Sequence, residues 1–313
     1  MAGGLATVFG GSGFIGRYVV RNLAQQGWQV RVAVRRPDQA LFLKTCGGVG
    51  QVTPIAANIR DDRSVQAAVA GADIVVNLVA ILYQSGPQRF DAVQAAGAGR
   101  VAAAAMAAGV KRLAHFSAIG ADAKSDSAYA RTKAEGEALV TRDFPGATIL
   151  RPSIVFGPED DFFNRFARMA QVSPVLPLLG GGITKFQPVY VGDVAAAAMR
   201  VLEDEAAAGK TYELGGPQVY SFRELLEIML RVIDRRRYLL GLPFGLAAAQ
   251  ATFLQLLPKP PLTVDQVRLL KRDNVVSAAA LTLKDLGIAP SALDLVLPTY
   301  LDRYRPRGHY SRT

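Results

Sequence analysis

A short apolar run, Leu5 to Phe9, passes directly into Gly10-Gly11-Ser12-Gly13-Phe14-Ile15-Gly16, and an amphipathic pattern then continues to about Gln26. A buried strand, a glycine turn and a helix in that order leave few folds open to a chain. Gly10 permits the tight turn, Gly13 lets the backbone approach a pyrophosphate with no Cβ in the way, and Gly16 lets the helix pack close to the strand. A pyrophosphate placed there meets the positive end of the helix and its free N–H donors. A bare glycine pattern carries little, but this strand-turn-helix setting gives it weight. Gly10, Gly11, Ser12, Gly13, Phe14, Ile15 and Gly16 are therefore candidate dinucleotide-binding residues.

Strand and helix patterns go on alternating. Residues 29–34, 52–56, 72–78 and 112–117 read as strands, and 92–108 as an alanine-rich helix. Continuous apolar strands separated by helices imply a parallel sheet covered on both faces. The expected class is α/β, a Rossmann-type doubly wound parallel sheet with a smaller, mostly helical C-terminal lobe. Residues 148–156 read as a further strand, 160–171 as a helix, 186–191 as a short strand and 210–214 as a last sheet strand, with Asp193 as the N-cap of a helix. The expected division is a dinucleotide-binding domain over 1–157 with sheet contributions from about 186–215, a mainly helical lobe over 158–297, and an extended basic tail over 298–313.

Composition bounds the rest. Half of the 313 residues are hydrophobic and a fifth are charged, which suits a folded chain with a substantial core. A single cysteine, Cys46, excludes a disulfide framework and fits a reducing compartment. The net charge of +10 suits nucleic acid, an anionic membrane face or acidic protein partners, without choosing among them. With a strand starting at Leu5, no signal or transit peptide is expected, which points to the cytoplasm or the cytoplasmic face of a bacterial inner membrane. Residues 238–257 carry no charge, and their length alone would permit a membrane span. Gly241, Pro243, Gly245, Gln250 and Gln255 interrupt them, so no transmembrane helix is expected; a buried lobe helix or one lying on a membrane or hydrophobic partner remains. The tail mixes Arg303, Arg305, Arg307 and Arg312 with Tyr300, Tyr304, His309 and Tyr310, and suits an acidic partner subunit or lipid headgroups. No RNA-binding module accompanies it, so nucleic acid is not an expected partner, and no metal site is expected.

Two positions bear on the nucleotide. At the end of the second strand an NAD site needs a carboxylate for the ribose 2′-OH. Arg35 and Arg36 stand there instead and suit a 2′-phosphate, so NADPH is favoured over NAD. Solvated arginines, with Asp38 serving NAD, are the other reading. Tyr129 and Lys133 lie four apart, on one face of a helix. An ammonium beside a phenol stabilises the phenolate and lowers its pKa, so that Tyr129 exchanges a proton with a carbonyl or alcohol.

The glycine spacing and the Tyr-x-x-x-Lys pattern resemble those of the short-chain dehydrogenase/reductase superfamily. The resemblance places Asn58 where an adenine-contacting Asp or Asn often falls, and makes Ser117 the candidate third catalytic residue. In the extended branch that serine usually lies a residue or two further on, where this chain has Ala118 and Ile119, so turnover is in doubt while cofactor binding is not. Ile59, Val79, Ala80, Ser117, Tyr129, Lys133, Pro152 and Ile154 complete the candidate cofactor contacts.

Further strings sharpen the likeness. Leu150-Arg151-Pro152-Ser153-Ile154-Val155-Phe156-Gly157-Pro158 and Phe186-Gln187-Pro188-Val189-Tyr190-Val191-Gly192-Asp193 are shared widely among extended and atypical members. Leu262-Thr263-Val264-Asp265-Gln266-Val267-Arg268-Leu269-Leu270-Lys271-Arg272-Asp273-Asn274 is more particular. Together they resemble the dehydrogenase-like accessory subunit of respiratory complex I (NADH:ubiquinone oxidoreductase) in its alphaproteobacterial form. That resemblance implies tightly held, structural NADPH and partners among the peripheral-arm subunits, near the membrane surface and quinone-site region. A free-standing NADP-dependent reductase or epimerase is the alternative.

Overall fold

The computed structural model describes residues 3–258, 260–306 and 308. The chain forms two compact units, one of Met1–Pro152, Val194–Glu213 and Ala279–Ile288, the other of Ser153–Asp193, Leu214–Ala278 and Ala289–Thr313.

The first unit is built on a seven-stranded sheet. Strands β1 (Leu5–Phe9), β2 (Gln29–Val34), β3 (Val52–Ala56), β4 (Ile74–Asn77), β5 (Arg112–Phe116) and β6 (Thr148–Pro152) are joined by Thr211–Leu214 in the order Thr211–Leu214, β6, β5, β4, β1, β2, β3. The pairings from β6 through to β3 are parallel. Val8, Val32, Val75 and Val76 have no exposed surface, as expected of strands covered on both faces. The strand order reverses between β1 and β4, where Phe9 pairs with Ala33 on one side and Asn77 on the other. Such a reversal opens a crevice at the carboxyl ends of the strands.

Helices α1 (Phe14–Gln25), α2 (Asp62–Val69), α3 (Ala96–Ala107) and α4 (Ala128–Asp143) pack on this sheet. The Asp61 carboxylate caps α2 by accepting from Ser64 N at 2.7 Å, and Ser127 caps α4 by accepting from Ala130 N at 3.3 Å. A wide helical turn, Asp91–Ala95, leads into α3. It approaches α4 closely because Gly136 has no side chain; a Cβ there would collide with the Gln94 carbonyl oxygen.

The second unit has an aromatic core. Phe156, Phe163 and Phe222 are buried in it, and Phe162 meets Phe163 edge-on at 4.9 Å. It contains α5 (Phe162–Val172) and α7 (Phe222–Val232), the latter closed by a Ser221–Glu224 capping box; α6 (Val191–Glu203) lies between them in sequence.

Several expected elements change form. The strand read over 148–156 ends at Pro152, and Val155–Phe156 pairs instead with Val189–Tyr190. The strand read over 186–191 splits into Lys185–Phe186 and Val189–Tyr190, because Pro188 has no N–H for a ladder. Asp193 is not an N-cap, since α6 already begins at Val191; its carboxylate accepts from Ser291 N at 2.6 Å and Ser291 Oγ at 3.0 Å. The uncharged stretch is not one buried helix. Tyr238–Leu242 is a strand parallel to Val175–Leu179, and after Pro243 comes α8 (Phe244–Leu254), which buries Ala247 and Ala251 but exposes Leu246 and Phe253. No helix among the described residues is long and apolar enough to cross a membrane. From Pro298 to Tyr304 the chain is not an extended arm. It makes two helical turns, Pro298–Leu301 and Asp302–Tyr304, that bury Tyr300, Leu301 and Tyr304. Tyr300 donates to Asp160 Oδ2 at 2.5 Å and Tyr304 to Asn164 Oδ1 at 2.9 Å. Arg307, His309, Tyr310 and Arg312 lie outside the described residues.

Candidate functional site

The glycine loop occupies the crevice between β1 and β4. Gly10 has φ +76°, a left-handed conformation natural to glycine, and its N–H donates to Ala33 O at 3.1 Å. Gly13 precedes α1 with extended backbone, and its N–H closes the turn onto Gly10 O at 3.0 Å. A Cβ on Gly16 would strike the Gly10 carbonyl oxygen and lie 2.6 Å from Gly11 Cα, so helix and loop touch backbone to backbone. A Cβ on Gly13 would meet only Gly10 O, at 3.2 Å. No side chain caps α1 and no acidic residue stands in its first turn. The loop thus leaves the positive helix end open to an anion.

A groove of about 250 Å³ runs from this loop along the strand ends. Of the expected cofactor contacts, Gly10, Ser12, Gly13, Arg35, Asn58, Ile59, Val79 and Ala80 line it. Arg35 is exposed at the end of β2, and neither it nor Arg36 forms an ion pair among the described residues. Asp38 does not line the groove; it stands in the first turn of the 3₁₀ segment Pro37–Cys46. Asn58 is held at both ends, its N–H donating to Ser64 Oγ at 2.9 Å and its Oδ1 accepting from Arg60 N at 3.2 Å. Gly11, Phe14, Ile15, Gly16 and Arg36 flank the groove without lining it. Gly11 and Gly16 are buried against the strands, and Phe14 packs edge-on against Tyr18 at 6.3 Å.

Ser117, Tyr129, Lys133 and Pro152 belong to the same unit but not to the groove walls. Pro152 is buried, and its carbonyl accepts from Ile119 N at 3.1 Å. Ile154 belongs to the second unit and packs on its aromatic core. Lys133 is 2% exposed and its Nζ donates to the Phe116 carbonyl at 2.9 Å. Burial holds its pKa down to about 8, against the Glu137 carboxylate, which raises it. Tyr129 keeps part of its surface exposed and meets Phe90 edge-on at 5.9 Å. Burial of the phenol pushes its pKa up to about 12, and no charge on Lys133 offsets this. The lowered phenol expected from a neighbouring ammonium is therefore not found, because that ammonium is turned to the backbone of β5. Ser117 donates its N–H to Leu150 O at 2.7 Å, while its Oγ is buried with no partner among the described residues.

Sequence reasoning missed a buried polar pair beside this helix. His115 on β5 and Asn77 on β4 are register partners, with His115 Nδ1 at 3.2 Å from Asn77 Nδ2. Asn77 donates there, so Nδ1 accepts and the proton sits on Nε2. Burial, then the charge of Lys133, hold the imidazole pKa down to about 3. Asn77 Oδ1 in turn accepts from Val79 N at 3.2 Å, which ties the pair to the groove wall. The signal was present as a polar residue at the end of β4 and another flanked by apolar residues in β5. Gln88, Leu78 and Ile81 also line the groove and were not anticipated.

A glycine loop at the switch point of a parallel sheet, with a groove along the strand ends, defines an NAD(P)-binding α/β fold. The chain belongs to the NAD dependent epimerase/dehydratase family, whose model matches residues 6–215. Within that class it is 39% identical to NADH dehydrogenase (ubiquinone) 1 alpha subcomplex subunit 9, mitochondrial, of Arabidopsis thaliana, over 98% of this chain and 80% of that one. It is 34% identical to the NADH-ubiquinone oxidoreductase 40 kDa subunit, mitochondrial, of Neurospora crassa, over 99% of this chain and 82% of that one. Among solved structures, an NADPH-dependent quinone oxidoreductase complexed with NADPH from Escherichia coli superposes with a TM-score of 0.74 at 23% identity, over 94% of this chain and 99% of that one. That likeness establishes the fold.

Proposed function

We propose that this chain is an accessory subunit of respiratory complex I that holds NADPH as a structural element and does not turn it over. The observation that carries this reading is the identity over nearly the whole chain to proteins named as subunits of that complex. The groove supports the nucleotide. Gly10 and Gly13 leave space for a pyrophosphate at the open end of α1, and Asn58 stands at the third strand end for the adenine. Arg35, rather than Asp38, lines the groove where the adenosine ribose would lie, which favours a 2′-phosphate and hence NADPH over NAD. When bound, NADPH supplies a hydride.

The chain's own groups are poorly set to use that hydride. A proton donor works best with a pKa near the operating pH. Tyr129 is displaced upward to about 12, Lys133 is committed to the Phe116 carbonyl, and Ala118 and Ile119 stand where a working serine is expected. In this reading Tyr129, Lys133 and Ser117 position the nicotinamide half and move no proton. The partners are other subunits of the peripheral arm, near the quinone-site region and the membrane surface, on the cytoplasmic face of a bacterial inner membrane.

The test is gentle detergent extraction of host membranes carrying a tagged copy, followed by native separation and an NADH-oxidation stain. Co-migration with a large NADH-oxidising assembly, and NADPH released from it on denaturation, is the expected result. Migration as a small species that reduces a carbonyl substrate with NADPH would overturn the proposal in favour of a free-standing reductase.

A further inference from the structure

The second unit contains a cavity of about 630 Å³ that the subunit reading does not use. One wall is α5, which presents Phe162, Phe166 and Met169 at i, i+4 and i+7 while Phe163, Ala167 and Ala170 fill the core behind. Leu242, at the end of the Tyr238–Leu242 strand, and Leu254, the last residue of α8, form another side. The space opens to solvent, so a ligand can enter it without unfolding its walls. It falls in the range of small-molecule sites, about 300–1,000 Å³. Its apolar walls give water few partners.

Two further observations narrow the ligand. Arg165 is the one charged side chain lining the cavity among the described residues, and no carboxylate faces it there. Its Nη2 donates to Pro261 O, which fixes the guanidinium while its other donors remain available. Next to the wall residue Leu254, α8 carries exposed Leu246 and Phe253 seven residues apart, two helical turns, with exposures of 62% and 76%. The helix that lines the cavity at Gln250 and Leu254 thus also presents apolar side chains to solvent, which suits an encounter with a chain-like hydrocarbon.

We infer that this cavity takes a single apolar chain, acyl or prenyl, bearing an anionic carboxylate or phosphate head. The chain lies along Phe162, Phe166, Met169 and Leu254, and the head meets Arg165. A charge-assisted pair of this kind contributes about tenfold or more to affinity.

The test titrates the full-length, NADPH-loaded protein with cis-parinaric acid, a fluorescent fatty acid, independently of any assembly assay. Saturable one-to-one binding is expected. Met169→Trp puts an indole across the path along α5 and should weaken binding at least tenfold, with NADPH content unchanged. Arg165→Gln, at the half-exposed rim, should weaken the acid about tenfold and keeps the test decisive if the tryptophan variant fails to fold. Displacement by palmitate identifies an acyl source and displacement by farnesyl phosphate a prenyl one, and either supports the site. Failure of both to displace the probe, equal displacement by uncharged hexadecanol, or native affinity in Arg165→Gln would overturn it.

Discussion

At the β1 end of the crevice, phosphate binding would rest on backbone. Gly10 takes a conformation that glycine favours, Gly16 touches the loop backbone directly, and α1 begins with no side chain over its first amides. At the β5 end, function would rest on side chains, and burial leaves these poorly set for it. Lys133 bonds a strand carbonyl, the Tyr129 phenol is desolvated, and the Ser117 hydroxyl is buried with no partner among the described residues. A site can lose turnover at one end and keep a nucleotide at the other, because the two ends draw on different parts of the chain.

The sharpest way to break the contrast is at the loop, where two neighbouring glycines should fail differently. Gly16→Val drives a side chain into the Gly10 carbonyl and the Gly11 backbone, neither of which can rotate away. Overpacking of this kind costs about 1–3 kcal/mol or more, so the variant should be poorly folded as well as empty. Gly13→Val meets only Gly10 O at 3.2 Å. It should fold with a nearly native melting point and lose nucleotide on purification, because its side chain takes the place of the pyrophosphate. Bound nucleotide retained by Gly13→Val, measured after denaturation, would mean the loop has been misassigned.

How much was legible follows the same division. The parallel sheet and the loop could be read because apolar strands and glycines act locally: 29–34 and 52–56 stand where they were expected. The uncharged stretch 238–257 misled, because absence of charge does not distinguish a buried surface from an exposed apolar one; α8 buries only Ala247 and Ala251. Tyr300 and Tyr304 looked like part of a loose basic tail because their partners, Asp160 and Asn164, lie 140 residues away. The pattern Tyr129-x-x-x-Lys133 correctly placed both residues on one helix, but it could not show that Lys133 would turn to Phe116. A spacing fixes a face, while the direction of a long side chain depends on which strand end lies opposite.

Lys133 sharpens the comparison from the β5 side. Its pKa falls from 10.5 in the unfolded chain to about 8 in the fold. Between those values the unfolded chain binds more protons than the folded one, so stability should rise with pH across the window from 8 to 10.5. Below pH 8 both states are protonated, and the buried ammonium carries its full cost of about 3 kcal/mol. Lys133→Met removes that cost and gives up one hydrogen bond to Phe116 O, itself about 1 kcal/mol. The nucleotide-free variant should melt higher at pH 7 and show a flat profile from pH 8 to 10.5. A lower melting point with the rise still present would place the titrating group elsewhere.

Arg35 and Arg36 test the choice of nucleotide. Arg35→Asp with Arg36→Ala exchanges the groove-lining cation for a carboxylate that accepts from a ribose hydroxyl and repels a phosphate. One or two charge-assisted bonds, at about 1.5–3 kcal/mol each, should be lost from NADPH, shifting the NADPH-to-NADH affinity ratio at least tenfold by titration calorimetry. An unchanged ratio would mean the 2′-phosphate is read by another part of the groove.

Tyr129→Phe should do least. The ring still meets Phe90 edge-on, and a phenol pushed up to about 12 holds its proton at pH 7 whatever the state of the nucleotide. If the β5 end only positions the nicotinamide half, the variant should assemble into the large NADH-oxidising complex at native yield and keep its NADPH within a few-fold. A hydroxyl that moved a proton would behave otherwise: its removal would leave assembly intact and abolish an NADPH-dependent turnover measurable in the native protein. Loss of assembly would give a third result, that Tyr129 contributes to the packing a partner subunit recognises. The first outcome keeps the two ends of the site distinct, and either of the others shows that the β5 end retains a function its hydrogen bonds do not reveal.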